Sequence, residues 1–395
     1  MKRSVTLFYR DPIECIQSLL SHPLFEHSIN FVPRKVWSTT ARLSHIYDEW
    51  LMGEHTWDLQ ASPTLSDLNT ELPEGGTLLG VVLSSDKTNI SIMSGNRMAH
   101  LLLLTLANIT SDIRSKGSLH GHLLLALFPV PSFIHKKSHV HSLLSDRLFH
   151  HCLNLVLIPL KTAAAIGVMM SDLWGNLRYC FTPLVGYIVD MPEQSLLAGT
   201  NPRTSPMSIA TYKEFSDNKR HDPRTAQYTL NAISAACAQA DPNDFTSFLK
   251  AAKSRVLNGV HEPFWRDWPL SDPARFLKVE PLHHFFRFSW DHDKQWCISA
   301  VGEDEFDYHF SLLQTLVGYR SFPDGISKLK QVTGCDHRSI QQYILCVIAG
   351  TVALHFLTAI CALLDFRYLA QMPVFNDQVL IKLDVGTGQC QPQTL

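Results

Sequence analysis

TLLGVVLSSDKTNIS, residues 77–91, opens on an apolar run, Thr77–Leu83, and turns polar at Ser84. Apolar runs of this length, bounded by turn-forming residues, read as buried strands. Further apolar runs follow at Ile90–Met93, His100–Ile109 and Leu123–Val130, where Pro129 and Pro131 close the last. Successive strands with no long helix between them predict an antiparallel meander. Residues 139–170 then place Leu143, Leu144, Leu148, Cys152, Leu155 and Val156 at a helical period. RYCFTPLVGYIV (178–189) is β-branched and aromatic and reads as a fourth strand, and Pro192 is well placed to open a helix behind it. The expected order is three strands, a helix, a strand and a helix, in a mixed α/β (α+β) chain.

Around this core, residues 1–60 read as helical, with apolar positions at three- and four-residue spacing in Ile13–Leu20 and Val36–Met52. Residues 61–76 (ASPTLSDLNTELPEGG) read as a linker. The core occupies 77–200. Residues 201–372 read as a helical region, loop-like to 225 and dense in Trp and Phe over 259–296. An irregular tail fills 373–395.

The chain has 395 residues, 45 % of them hydrophobic and 18 % charged, which excludes disorder as the main state. With 34 basic against 36 acidic residues, a net charge of −2, it is not a strongly basic nucleic-acid binder overall, although a local basic face remains open. Nine cysteines without a C-x-x-C pair argue against a zinc ribbon or a disulfide framework. Reduced buried thiols in a nuclear or cytoplasmic protein fit better. The start, MKRSVTLFYRD, has no apolar core and is not a secretory signal. Tyr343 to Leu364 runs without a formal charge and is long enough to span a bilayer, so a buried helix and a single membrane span are both open.

Two aspartates stand out. Asp86 follows an apolar strand among Ser85, Lys87 and Asn89. It reads either as part of a polar hairpin turn or as a ligand, since carboxylate oxygens suit hard divalent ions. Asp190 ends the fourth strand. It reads either as a helix N-cap, with Glu193 favouring the first-turn dipole, or as a second ligand. Other patterns fail on context: Ser84-x-x-Lys87 with Ser216-Asp217-Asn218 lacks a Lys-Thr-Gly partner, and Gly386-Thr387-Gly388 lacks P-loop spacing. His135, His139 and His141, and His283, His284 and His292, have no matching Cys or acid at ligand spacing. Trp265 and Trp268 read as packed core ahead of base-stacking surfaces.

Long strings give a resemblance: FYRDPIECI (8–16), LLGVVLSSDKTNIS (78–91), LRYCFTPLVGYIVDMPE (177–193), HDPRTAQYTL (221–230), LNGVHEPFWRDWPL (257–270), EPLHHFFRFSWDHDKQWC (280–297), ISKLKQVTGCDHR (326–338) and LDFRYLAQMP (364–373). The chain resembles the Plavaka transposases of fungi, related to the CACTA group of DNA transposons. The resemblance implies a ribonuclease-H-like mixed sheet with a helical, aromatic-rich region after the fourth strand, and DNA as the partner. In such a sheet the first and fourth strands are neighbours, so Asp86 and Asp190 could meet. By position Asp86 looks like the first catalytic acid and Asp190 like the second, together holding Mg²⁺ or Mn²⁺ for strand cleavage and transfer. The family's third acid is expected beyond LDFRYLAQMP and its zinc-finger-like segment ahead of FYRDP, so the expectation is a shortened copy that cuts poorly. No small-molecule substrate is implied. The 343–364 run is expected to be a soluble helix, since His355 and Cys361 stand where relatives carry charges.

Overall fold

The structure, a computed structural model, describes residues 4–61, 75–91, 97–135, 137–217, 219–314, 317–330 and 332–389. Most of the expected linker and the last tail residues lie outside these. Two compact units divide the chain: Met1–Val36 with Glu49–Lys278, and Trp37–Asp48 with Val279–Leu395.

The first unit is built on a mixed sheet. Ahead of it lies helix α1 (Pro12–Leu20), capped by Asp11, whose carboxylate accepts the Ile13 N–H at 2.7 Å. Strands β1 (Val81–Ser91), β2 (Arg97–Leu106) and β3 (Leu123–Phe128) form the expected antiparallel meander. Strand β4 (Leu184–Ile188) lies parallel beside β1, and a two-residue strand, Phe8–Tyr9, closes the other edge against β3. Parallel neighbours need a crossover rather than a tight turn. Helix α2 (Ser138–Ile166) runs within that crossover, and α3 (Met191–Ala198) follows β4.

The polar group Ser84–Asn89 does not turn. β1 runs through it, with Asp86 opposite Leu101 and Lys87 opposite His100, which overturns the hairpin-turn reading. Backbone ladder bonds to a long partner strand are indifferent to side-chain polarity, and that support outweighs the local turn signal. The run 178–189 divides instead. Leu177–Phe181 pairs with Val168–Ser171 and with Thr77–Leu78, and β4 starts after Pro183, which has no N–H to give a ladder.

Side chains alternate across a sheet. Val81 and Leu83 of β1 and Leu102, Leu104 and Leu106 of β2 share one pleat, fully buried against α1 and α2. From α2 come Leu153, Val156, Leu157 and Leu160. The other pleat packs Val82 and Val185 with Leu59, Leu78 and Phe181. Trp265 and Trp268 are core, as expected; their indole N–H groups donate to the Leu197 and Thr182 carbonyls at 2.7 and 3.0 Å. Buried His150 donates from Nε2 to the Leu196 carbonyl (3.0 Å) and accepts the Phe264 N–H at Nδ1 (3.1 Å). That pair of bonds fixes one neutral tautomer, and burial pushes the imidazole down to about 4. Helices α4 (Ala226–Gln239) and α5 (Phe245–Lys253) pack together in a smaller cluster through Ile233, Ala236, Phe248 and Ala252.

In the second unit, α6 (Gly334–Ile348) and α7 (Leu354–Ala370) surround a core that includes Phe306, Phe310, Ile344 and Leu364. The uncharged 343–364 run is not one helix. It breaks between Ile348 and Leu354, where Gly350 has φ +85°. Among the described residues the helix long and apolar enough to cross a membrane is α2, and 56 % of its apolar window is buried inside the protein. Val36–Met52, expected as a helix, holds two short strands and a 3₁₀ turn. His45–Tyr47 pairs instead with Phe375–Asn376, a long-range partner that local periodicity does not reveal. The tail also orders further than expected, into helix α8 (Asp377–Gln389).

An ion pair lies at the centre of the second unit. The Arg367 guanidinium holds the fully buried Asp293 carboxylate through two nitrogens, and Ser289 donates to it at 3.2 Å. Removing one partner of such a pair strands a charge in the interior. Arg367→Met should cost about 3–5 kcal/mol of stability in chemical denaturation, and Asp293→Leu added to it should restore much of the loss.

Candidate functional site

Strand pairing sets the site. Ser84 of β1 stands opposite Ile188 of β4, the last paired position, and Asp86 and Asp190 follow two residues further along each strand. Asp190 is the N-cap of α3. Its Oδ1 accepts the Glu193 N–H at 2.9 Å, with Pro192 in the first turn, so the capping half of its reading is realised. Asp86 is exposed, and its Oδ2 accepts a bond from Thr88 Oγ1 at 2.5 Å.

A cleft of about 350 Å³ opens beside α3, lined among others by Lys87, His100, Asp146, Cys152, Asp190 and Glu193. Asp86 is not among its lining residues. It lies on the pleat opposite Lys87, so the cleft takes one aspartate of the pair and not the other.

Glu193 organises the cleft floor. Its Oε1 accepts from Ser85 Oγ and from His100 Nε2, the latter at 3.2 Å. Ser85 Oγ also lies 3.1 Å from the Tyr187 hydroxyl. The His100 ring stacks on Phe149, centroids 4.6 Å apart and planes 7° from parallel. Glu193 therefore joins α3 to β1 and β2, and its own N–H orients Asp190. Burial keeps Tyr187 far above the ordinary tyrosine range, with the Glu193 charge adding to it. Burial also pushes the Asp146 carboxyl up to about 7 and the Cys152 thiol up to about 11. Near neutral pH, Asp146 can thus exchange a proton, whereas Cys152 is a thiol and no nucleophile.

With this geometry in place, the family comparison is decisive: the family model described as Plavaka transposase matches residues 1–297. The chain belongs to the Plavaka transposase family. No curated protein matches it. The matched span holds the whole sheet and both aspartates of this Plavaka chain. The strings at 326–338 and 364–373 fall beyond it.

The aspartates offer oxygen donors of the right kind for Mg²⁺ or Mn²⁺. Yet each already uses one oxygen locally, and no group of three or more His, Cys, Asp or Glu able to hold a metal occurs among the described residues. The histidine sets follow the same pattern: His141 bonds the His135 carbonyl, and His283 pairs with Glu280 at 2.6 Å. The Glu280 carboxyl is held down to about 2, because bonds from His284 and His283 outweigh the effect of its burial.

Sequence reading missed Ser85, His100, Asp146 and the side-chain role of Glu193. A trace existed for Glu193, three residues after a cap and therefore at the turn that faces the strand ends. Asp146 sits in a polar-to-apolar stretch of α2 that gives no such signal. Its raised carboxyl makes a pH prediction. Between about pH 4 and 7 the folded chain holds a proton that the unfolded chain has released, so stability falls as pH rises through this window. Asp146→Asn should flatten that fall, gaining most over wild type above pH 7 and nothing below pH 4, in thermal unfolding across the range.

Proposed function

We propose that the first unit is a ribonuclease-H-like core of transposase ancestry that engages DNA and, with its own residues alone, cuts it poorly. The observation that carries this reading is the parallel placement of β4 beside β1, next to the antiparallel β1-β2-β3 ladder. In that register Asp86 and Asp190 each come two residues after the paired Ser84 and Ile188, and the resemblance assigns these positions the first two catalytic acids. Mg²⁺ or Mn²⁺, if bound, would be held through these two carboxylates and would activate a nucleophile at a phosphodiester. Two carboxylates leave such an ion short of protein ligands, and ligand number fixes its geometry. The chain's own residues do the preparatory work: Glu193 sets the α3 terminus against β1 and orients the Asp190 carboxylate. A nuclear or cytoplasmic location fits free, buried thiols such as Cys15, Cys152 and Cys180.

A non-catalytic DNA- or protein-binding module is the second reading, favoured by the separation of Asp86 from the cleft. Incubating the full chain with supercoiled plasmid and Mg²⁺ or Mn²⁺ tests both. The expected result is salt-dependent plasmid binding with nicking no faster than that of Asp86→Ala or Asp190→Ala. Robust metal-dependent nicking lost in Asp86→Ala would establish an active enzyme, and absence of binding at low salt would remove DNA as the partner.

A further inference from the structure

On the first unit, a second cavity, about 40 Å³, lies between α2 and the 260–266 segment. It is lined by Arg147, His151 and Asn154 from α2 and by His261, Glu262 and Arg266 among others. A water needs about 10–15 Å³ of such space, so the cavity has room for about three waters or one tetrahedral oxyanion.

It opens to solvent at His151 and Glu262, and its charged lining is mostly basic. Arg147 donates Nε to the Gly259 carbonyl at 3.1 Å and Nη1 to the Pro242 carbonyl at 2.8 Å, which fixes the guanidinium in place. Its Nη2 is buried and has no hydrogen-bond partner among the described residues, while the guanidinium also lies over the Phe245 and Phe248 rings, 5.7 and 5.3 Å from their centroids. His261 likewise keeps a buried Nδ1 with no hydrogen-bond partner among the described residues. A buried N–H without an acceptor costs about 1–3 kcal/mol, more for a charged group. Arg266 uses one nitrogen on the Pro263 carbonyl at 3.3 Å. The one acid in the lining, Glu262, is exposed, and neither arginine is ion-paired to it among the described residues. The two arginines therefore outweigh it.

The backbone supports the arrangement. Gly259 has φ +101°, and a Cβ there would sit 2.7 Å from Leu143 Cδ1, so this position is closed to other residues. That conformation presents the carbonyl that orients Arg147.

We propose that this cavity is an oxyanion site that takes a phosphate group, with Arg147 and Arg266 as its charged donors and His261 as a neutral one. Two planar guanidiniums suit the oxygens of a phosphate. A nucleic-acid backbone and free phosphate share this chemistry. The backbone source rests on the reading of the unit as a DNA-engaging core, and the oxyanion site itself does not.

Thermal unfolding of the full chain with inorganic phosphate, against chloride at equal ionic strength, tests the site. Phosphate should raise the unfolding temperature of wild type, raise it further in Glu262→Gln, and leave Arg266→Gln unmoved. Arg266→Gln is the informative variant because Arg147 also supports the fold. Equal effects of phosphate and chloride on wild type would overturn the proposal. A second arm measures duplex DNA binding against salt concentration. Arg266→Gln should weaken binding and reduce the log–log salt slope by about one. An unchanged slope with phosphate stabilisation intact would overturn the backbone source and leave a free-phosphate site. Wild type that binds no DNA would remove the functional reading, while the first arm still decides the cavity.

Discussion

The parallel ladder between Val81–Ser84 and Leu184–Ile188 is the constraint on which the first unit depends. These strands are far apart in sequence, so their pairing has to offset the closure of a long loop, and only a large buried surface does that. α2 supplies it. Its apolar stripe covers the pleat of Val81, Leu83, Leu102 and Leu104, and the crossover that connects the strands is the same helix that buries them. The sheet, the crossover and the core are one solution to one problem.

Geometry at the end of that ladder then determines the site. Once β4 is in register, α3 starts just past the end of β4, beside the middle of β1, and Glu193 can reach Ser85 and His100. The residue that orders the cleft is therefore not one of the two aspartates that first draw notice. It is a carboxylate held by a hydroxyl and an imidazole, on a residue whose own N–H bonds the Asp190 cap. In this Plavaka chain it gives the D-x-P-E stretch at 190–193 two physical duties, a cap and a brace.

Much of this was legible from residues alone. Apolar runs announced β1, β2 and β3, the 3.6-residue period announced α2 almost to its ends, and Asp190 with Pro192 announced a helix start. What was not legible depends on distant partners. Ser84–Asn89 looks like a turn because its side chains are polar, yet β2 holds it extended. Val36–Met52 looks helical by spacing, yet part of it pairs with residues more than 300 positions away. Asp86 was read as following a strand, in a turn or as a ligand; it lies within β1, and the pleat that carries it away from the cleft is set by register, which a run of letters does not contain. The cavity beside Arg147 was invisible for the same reason: its cations come from a helix and a loop over a hundred residues apart.

His150 carries one more consequence. Its ring gives a proton to the last turn of α3 and receives one from the segment leading to Trp265, so it works as a coupling with a direction. Both ends must read it correctly at once. An aliphatic side chain of equal volume would leave the Phe264 N–H without its acceptor, and a permanently charged one would offend that same side. The position therefore admits almost no neighbouring residue type, and three segments far apart in sequence inherit a shared restriction on how far they can drift.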